Sequence, residues 1–237
     1  GGFGGVLYSK NGNSPLLIKS LTFTGCTFVQ NSCLGNGGAL YLDMTLENST
    51  VTLVGCSFEL NRANGDCGAV YARNAGLLRV ESCCFVNNSA FKSMASYNPT
   101  DGLAVKGHFT AIIDHSNFTK GSYTNEVTNY QFSHVNLDND VNYNDFNVTI
   151  SFCMFSIINP NSNQVIAKEV DNIGQFFISN SMFTHFTTRT SEANAGLMLD
   201  QISPQYKELE YLNKVSQSDF NHLFQELNTQ VHITNCC

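Results

Sequence analysis

Tryptophan is absent from this sequence, proline occurs only 4 times, and lysine and arginine together number 12 among 237 residues. Charged residues make up 13% of the chain, about half of the usual share. Recognition of nucleic-acid phosphates needs clustered lysine and arginine, whereas the basic residues here are scattered and the net charge is -7. We therefore expect no nucleic-acid partner.

Long apolar runs are also missing. No stretch of about 18 apolar residues occurs, so we expect no transmembrane segment in this chain. Residues 1–5 have neither a basic start nor an apolar core, and they do not indicate a signal peptide. Because the chain starts and ends inside copies of a repeat, we expect it to be a fragment of a longer protein whose targeting signals lie elsewhere.

What the sequence does contain is an internal repeat. The stretch 26–31, Cys-Thr-Phe-Val-Gln-Asn, returns at 56–61 as Cys-Ser-Phe-Glu-Leu-Asn and at 83–88 as Cys-Cys-Phe-Val-Asn-Asn. Gly37-Gly38-Ala39-Leu40 follows the first copy, and Cys67-Gly68-Ala69-Val70 follows the second. Two landmarks that share a period of roughly thirty residues indicate a solenoid.

The pattern inside each repeat predicts strands. Apolar residues alternate with polar ones before each phenylalanine, as at Leu21 and Phe23, and this period of two marks a strand with one buried face. The alternation changes parity just before the phenylalanine, which indicates a bend between two short strands, and a third strand follows the Gly-Gly motif. Three short strands per turn predict an all-β fold, a single-stranded parallel β-helix of the pectin-lyase-like type with about six to seven coils.

In such a stack, equivalent residues of successive coils lie about 4.8 Å apart and form inward ladders. The predicted aromatic ladder contains Phe28, Phe58, Phe85, Phe118, Phe155 and Phe183. A predicted ladder of small side chains contains Cys26, Cys56, Cys83 and Cys153. Asn31, Asn61 and Asn88 are candidates to cap turns, since asparagine tolerates left-handed geometry and bonds nearby backbone. Gly38 and Gly68 are expected to supply either unusual backbone angles or a close approach at a corner.

One long stretch departs from the repeat. Residues 200–228 contain Ser203 and Pro204, which suit a helix entry, followed by apolar residues at helical spacing. We expect a helical excursion there from one β-helix segment that spans residues 1–237. Further β-helix coils or other protein subunits are the partners expected at both ends, because a stack of strands leaves unpaired edges.

Two of these motifs resemble those of a known family. Gly37-Gly38-Ala39-Leu40 and Phe28-x-x-Asn31 resemble the GGA(I/L/V) and FxxN repeats of chlamydial polymorphic membrane proteins, and similar repeats occur in protist surface proteins. The match covers about residues 1–105, and the asparagine is lost from Phe118 onwards. The resemblance implies a right-handed β-helix that is displayed outside the cell in an adhesive or structural role.

The nine cysteines are numerous for a cytosolic protein. No C-x-x-C pair occurs, so stacked buried thiols are favoured over a zinc site. Three cysteines lie off the cysteine ladder near predicted turns, Cys33, Cys67 and Cys84. A disulfide between two of them is one prediction, and Cys33 with Cys67 is the first candidate pair.

Two further motifs involve asparagine. Sequons begin at Asn48, Asn87, Asn117 and Asn147, and these are glycosylation candidates if a eukaryote secretes the protein. Residues 138–145 resemble the start of a calcium loop but lack its glycine and its final glutamate, so a solvated acidic turn is favoured.

Catalysis is the main alternative to a structural role. Parallel β-helices that cleave polysaccharides need clustered carboxylates on adjacent coils. The outward positions just before the aromatic ladder carry no acid, and they are Thr27, Ser57, Cys84, Asn117, Met154 and Met182. We therefore name no catalytic residue, metal ligand or cofactor, and we expect an extracellular or cell-surface structural or adhesive module with glycans as further partners. A carbohydrate-active β-helix enzyme, a polysaccharide lyase or glycoside hydrolase, remains the alternative.

Overall fold

The computed structural model describes residues 2–10, 18–44, 49–90, 100–107, 109–120, 133–138, 146–157, 166–169, 174–184, 197–200 and 230–235. Over these residues the chain forms strands and short connections, with no helix. Every strand pairing is parallel, which gives an all-β solenoid as the repeat predicted. The predicted helical excursion lies outside the described residues, except that Asp200 ends a strand.

The strands follow one another in a fixed order along the chain. The first twelve are β1 (Leu7–Lys10), β2 (Ser20–Thr24), β3 (Thr27–Val29), β4 (Ser32–Cys33), β5 (Leu40–Asp43), β6 (Thr50–Val54), β7 (Ser57–Glu59), β8 (Arg62–Ala63), β9 (Val70–Arg73), β10 (Leu77–Glu81), β11 (Cys84–Val86) and β12 (Ser89–Ala90). They continue with β13 (Thr100–Lys106), β14 (Thr110–Asp114), β15 (Asn117–Lys120), β16 (Ser133–Asp138), β17 (Phe146–Ser151), β18 (Met154–Ile157), β19 (Ile166–Glu169), β20 (Gly174–Ser179), β21 (Met182–Thr184), β22 (Leu197–Asp200) and β23 (Gln230–Thr234).

These strands form four parallel sheets. Sheet A has the order β1-β5-β9-β13-β16-β19-β22, and sheet B has β2-β6-β10-β14-β17-β20-β23. Sheet C contains β3, β7, β11, β15, β18 and β21, and sheet D contains β4, β8 and β12. The chain visits the sheets in turn and then returns to sheet A one strand further along, which is the path of a solenoid.

Sheet D was not predicted, since three strands per turn were expected. Its strands have two residues each, which is too short for alternation to reveal in a sequence. The short strands form because the chain is already held in register at the preceding asparagine. The Arg62 amide donates to the Asn31 carbonyl at 2.8 Å, and the Ser89 amide donates to the Asn61 carbonyl at 2.8 Å.

Left-handed residues make the bend between sheets B and C. One such residue, with φ between 46° and 61°, precedes each strand of sheet C and also follows β23. These corner residues are Gly25, Gly55, Ser82, His115, Phe152, Asn180 and Asn235. The left-handed residue bends the chain and shifts the alternation of inward and outward side chains by one position. This shift accounts for the break in the apolar alternation just before each phenylalanine.

The phenylalanines of the repeat form one inward column. Neighbouring rings lie parallel, with centroids 4.7 to 5.1 Å apart, from Phe28 through Phe58, Phe85 and Phe118 to Phe155. Phe183 continues the backbone register opposite Phe155. The four interior rings are no more than 2% exposed, so the column fills the centre of the solenoid with stacked aromatic surface.

A column of small side chains lies beside the corner. Each side chain donates a hydrogen bond to the carbonyl two residues before it, over 2.9 to 3.5 Å. The residues are Cys26, Cys56, Cys83, Ser116, Cys153 and Ser181. Cysteine and serine are interchangeable here because both donate from a short side chain and both accept from the neighbouring coil.

The three asparagines of the FxxN motif form a ladder instead of capping turns. The left-handed residues at this corner are the ones before them, Gln30 and Leu60 in the first two copies. The Asn31 side chain donates to the Asn61 Oδ1 at 2.8 Å, and the Asn61 side chain donates to the Asn88 Oδ1 at 2.9 Å. The expected left-handed asparagine was therefore wrong, since a buried amide that bonds both neighbouring coils satisfies more of its polar atoms.

The glycines of the Gly-Gly motif are explained by close approach. A Cβ added to Gly38 would lie 2.0 Å from the Gly68 carbonyl oxygen and 2.7 Å from the Arg62 nitrogen. A Cβ on Gly68 would lie 2.5 Å from the Ser89 nitrogen. Of the two expectations for these glycines, backbone contact between coils is the one observed.

Candidate functional site

Over the described residues, the inward side chains of these ladders are buried against one another, so the candidate sites considered lie on the outside of the solenoid and at its ends. The first coil, β1 to β4, forms one end. Its inward side chains Leu7, Leu21, Phe23 and Cys26 are only partly buried against the core. Their equivalents one coil further on, Leu40, Val51, Leu53 and Cys56, are at most 2% exposed. We call this surface the open end, because the core ladders reach it and, among the described residues, only partly buried apolar side chains lie there.

The strands at the open end also expose polar backbone. In the part of the chain that the structure describes, each of β1, β2, β3 and β4 is the terminal strand of its sheet and pairs with one other strand. Such an edge presents free amide and carbonyl groups that can pair with a further strand. The open end therefore combines apolar ladder ends with an unpaired backbone edge.

A second aromatic stack reaches the same end on the outer face of sheet A. Tyr8, Tyr41 and Tyr71 stack at 5.1 Å between successive centroids, and Phe3 lies 4.9 Å from Tyr41. Tyr41 and Tyr71 are less than 10% exposed, whereas Tyr8 is 47% exposed. Burial and the nearby Asp43 carboxylate raise the pKa of Tyr41, so the Tyr41 hydroxyl keeps its proton at neutral pH.

A polar cluster lies on the outer side of the corner between sheets B and C. The His115 Nδ1 donates to the Asp114 Oδ2 at 2.8 Å, and the Ser151 hydroxyl donates to the Asp114 Oδ1 at 2.6 Å. Burial opposes ionisation of this carboxyl, but the hydrogen bonds from Ser151 and His115 outweigh it and lower the pKa of Asp114. Asp114 is therefore an ionised carboxylate at neutral pH.

Two rings complete this corner cluster, which we define as Asp114, His115, Ser151 and Phe152. His115 and Phe152 are equivalent corner residues of adjacent coils, and their rings stack 4.8 Å apart with an interplanar angle of 16°. Phe152 is 54% exposed. The cluster thus presents apolar ring surface beside a carboxylate and a hydroxyl.

A second carboxylate lies one coil before this cluster. Glu81 is the register partner of Asp114 on the outer face of sheet B, and Arg79 makes a 2.8 Å ion pair with Glu81. The sequence reasoning missed this pair because it compared only the outward positions just before each phenylalanine. Glu81 and Asp114 share another offset, four residues before Phe85 and Phe118, and that offset was the available signal.

The outward positions just before each ladder phenylalanine, which the sequence analysis compared for acidic residues, form one column in sheet C. Thr27, Ser57, Cys84, Asn117, Met154 and Met182 are successive register partners. Over the described ranges, no three His, Cys, Asp or Glu side chains lie close enough together to hold a metal ion. Of the predicted acidic turn, Asp138 ends β16 and residues 139–145 lie outside the described part of the chain.

The described cysteines are free thiols, and they include both disulfide candidates. The Cys33 sulfur lies 3.3 Å from the Gly35 carbonyl, whereas the buried Cys67 sulfur lies 3.1 Å from the Val70 carbonyl. Burial raises the pKa of Cys33 and Cys67. The pairing of Cys33 with Cys67 stays a prediction.

Two of the ladder cysteines, Cys83 and Cys153, are protected from ionisation. Burial raises the pKa of Cys83 to about 11 and that of Cys153 to about 12. Since the thiolate is the reactive form of cysteine, these ladder thiols are structural.

The four sequons occupy different surroundings. Asn117 and Asn147 are exposed on sheets C and B. Asn87 is a partly buried, left-handed residue at the FxxN corner. Asn48 lies outside the described residues.

Comparisons with protein-family profiles, with curated proteins and with solved structures found no match. Among the residues that the structure describes, no helix has the length and apolar character needed to cross a membrane. The function is therefore inferred from the arrangement of the side chains described above.

Proposed function

We propose that this chain is an extracellular structural or adhesive module, one segment of a larger β-helical protein or assembly at the cell surface. The observation that supports this role is the open end. Leu21 and Phe23 are partly buried there, although their equivalents Val51 and Leu53 are completely buried. A further coil placed on this end would bury those apolar groups and pair the free strand edges.

The proposed module has a finer architecture. It is a right-handed β-helix of about six to seven coils that runs through residues 1–237, with a helical excursion at 200–228 as a second contact surface. Further coils or other subunits cover both ends. The resemblance to chlamydial polymorphic membrane proteins, carried by the GGA(I/L/V) and FxxN motifs, supports display outside the cell.

Two substitutions in the full-length protein test the contact at the open end. Leu21→Arg places a charge where a further coil would cover it, whereas Thr22→Arg places the same charge on the exposed outer face of the same strand. We expect Leu21→Arg to lower the melting temperature or dissociate the assembly, because a buried unpaired charge is strongly destabilising. Thr22→Arg should change stability by less than about 0.5 kcal/mol. Equal, small effects of both variants would show that the open end faces solvent.

Labelling of intact cells tests the location independently. An antibody against the solenoid should bind cells that have not been permeabilised, and an external protease should remove the signal. Staining that appears only after permeabilisation would contradict the extracellular role.

A carbohydrate-active enzyme is the second candidate, and the observation that favours it is the Glu81–Asp114 register pair. Two carboxylates on adjacent coils are the minimum for acid–base cleavage of a glycosidic bond. However, Glu81 is in an ion pair with Arg79. The lowered pKa of Asp114 suits a general base or a nucleophile but not a general acid. Cleavage of a polysaccharide by the wild type that is lost in both Glu81→Gln and Asp114→Asn would establish the enzyme. Binding of a saccharide without cleavage would support the adhesive module.

A further inference from the structure

The corner between sheets B and C carries an unusual choice of residues. Left-handed geometry suits glycine and asparagine, which occupy four of the corner positions, Gly25, Gly55, Asn180 and Asn235. His115 and Phe152 hold the same geometry on two adjacent coils, with φ of 46° and 51°. A bulky residue in this conformation is an outlier that the surroundings must explain.

Packing in the core does not explain Phe152. Its ring is 54% exposed, while the inward neighbours of the corner, Cys153 and Phe155, already close the interior. The backbone alone does not identify a site either, because Leu60 is left-handed, apolar and 47% exposed at another corner. Phe152 differs from Leu60 in its aromatic neighbour, His115, and in the polar groups held beside it.

Those polar groups are fixed in place. Asp114 accepts from Ser151 at 2.6 Å and from His115 at 2.8 Å, so the hydroxyl, the imidazole and the carboxylate hold one another in orientation. Ser179 continues the outward row of Asp114 and Ser151 in the next coil. The rings are therefore bordered by a line of hydrogen-bonding groups that runs along the solenoid axis.

The charge at the cluster selects among ligands. Asp114 is ionised, and Glu81 lies one coil away, so an acidic ligand is disfavoured by repulsion. A cationic ligand would use the Asp114 carboxylate and the exposed part of the Phe152 ring, but it would leave the hydroxyl groups of Ser151 and Ser179 unused. A neutral ligand with an apolar face and several hydroxyl groups fits both the rings and the acceptors.

We propose that the corner cluster binds a neutral saccharide, with the Phe152 and His115 rings against an apolar face of the sugar and with Asp114 and Ser151 as partners for its hydroxyl groups. The proposal rests on the adhesive part of the proposed function and names its ligand class. It concerns a surface that is separate from the open end, so the two can fail independently.

The test is a binding titration of the full-length protein with neutral oligosaccharides, using hexamers of glucose, mannose and N-acetylglucosamine as probes. The diagnostic variant is Phe152→Asn, because asparagine suits the left-handed backbone and the variant is expected to fold at least as stably as the wild type. Leu60→Asn is the matched control, since it makes the same exchange at an exposed left-handed residue away from the cluster. We expect at least a tenfold loss of affinity for the bound hexamer in Phe152→Asn and unchanged affinity in Leu60→Asn.

Three results would overturn the proposal. The first is that the wild type binds none of the neutral hexamers. The second is that Phe152→Asn keeps the wild-type affinity while its melting temperature is unchanged or raised. The third is a preference for an acidic oligosaccharide or for choline over every neutral probe. None of these results affects the Leu21→Arg comparison or the surface labelling, so failure here is distinguishable from failure of the proposed module.

Discussion

The Cys56 amide donates a hydrogen bond to the Cys83 sulfur 3.4 Å away in the next coil. One coil further, the Cys83 amide donates to the Ser116 hydroxyl at 3.1 Å. A sulfur and a hydroxyl thus perform the same task at equivalent positions of neighbouring coils. The column is defined by a short side chain that both donates and accepts, and its redox chemistry is secondary.

This equivalence predicts the response to substitution at position 83. Cys83→Ser should change the free energy of unfolding by less than about 1 kcal/mol, because the hydroxyl restores both hydrogen bonds. Cys83→Ala should cost about 1 to 3 kcal/mol, since the buried Cys56 amide loses its acceptor. Urea denaturation of both variants measures the difference. Equal losses in the two variants would mean that volume, and not hydrogen bonding, decides this position.

The asparagine ladder predicts that substitution destabilises the protein more in the middle of the ladder than at its end. Asn61 accepts from the Asn31 side chain at 2.8 Å and donates to the Asn88 side chain at 2.9 Å and to the Phe28 carbonyl at 2.9 Å. Asn61→Ala should therefore destabilise the protein by about 3 kcal/mol or more, because several buried polar groups lose partners together. Asn31→Ala at the partly buried end should cost about 1 kcal/mol. Thermal unfolding of the two variants tests the order, and a larger loss for Asn31→Ala would contradict it.

Close approach between coils predicts a large effect at Gly38. A Cβ in Gly38→Ala would meet the Gly68 carbonyl oxygen at 2.0 Å, so the coils would have to separate. Gly55→Ala is the matched control, because its Cβ meets only one atom, at 4.0 Å, and its cost of about 1 to 2 kcal/mol comes from the left-handed backbone alone. We expect Gly38→Ala to lose more stability than Gly55→Ala in chemical denaturation. The reverse order would show that the motif is a conformational requirement.

The buried thiols predict a loss of stability in alkali. The pKa of Cys83 is raised from 9.0 to about 11 and that of Cys153 to about 12. Above pH 9 the unfolded chain releases these protons and the folded chain does not, so ionisation favours unfolding as the pH rises from 9 towards the folded values. The free energy of unfolding should fall over this range.

The matching variant is the double substitution Cys83→Ser and Cys153→Ser, which removes both titrating groups and keeps the hydrogen bonds. Its unfolding free energy should depend less on pH between 9 and 11 than that of the wild type. If the unfolding free energy of the wild type and of the double variant depends on pH with the same slope, the ladder thiols are excluded as the cause.

Alkylation of the native protein at pH 8 should modify Cys83 and Cys153 slowly, because few of these thiols are ionised.

The sequence alone determined the stack. A hydrophobic period of two with a superimposed period of roughly thirty residues fixes which side chains face inward and which of them meet in successive coils. Phe28 stacks on Phe58, and Cys56 meets Cys83, because equal offsets in equal repeats must come into register. The alternation breaks at the left-handed corner, so the bend was also readable from the residues around Gly25 and Gly55.

Only the tertiary structure decided how the ladders bond and what gathers outside them. The direction of the Asn61 amide depends on carbonyls of two other coils, and the role of Gly38 depends on the distance to Gly68. The corner cluster brings Asp114 and His115 next to Ser151 and Phe152. Asp114 and Ser151 are in hydrogen-bond contact although they are 37 residues apart in the sequence. Outward positions show no conserved residue type from coil to coil, because solvent accepts any residue there. The repeat offset places Asp114 opposite Ser151, but only the structure shows that Asp114 accepts hydrogen bonds from Ser151 and His115.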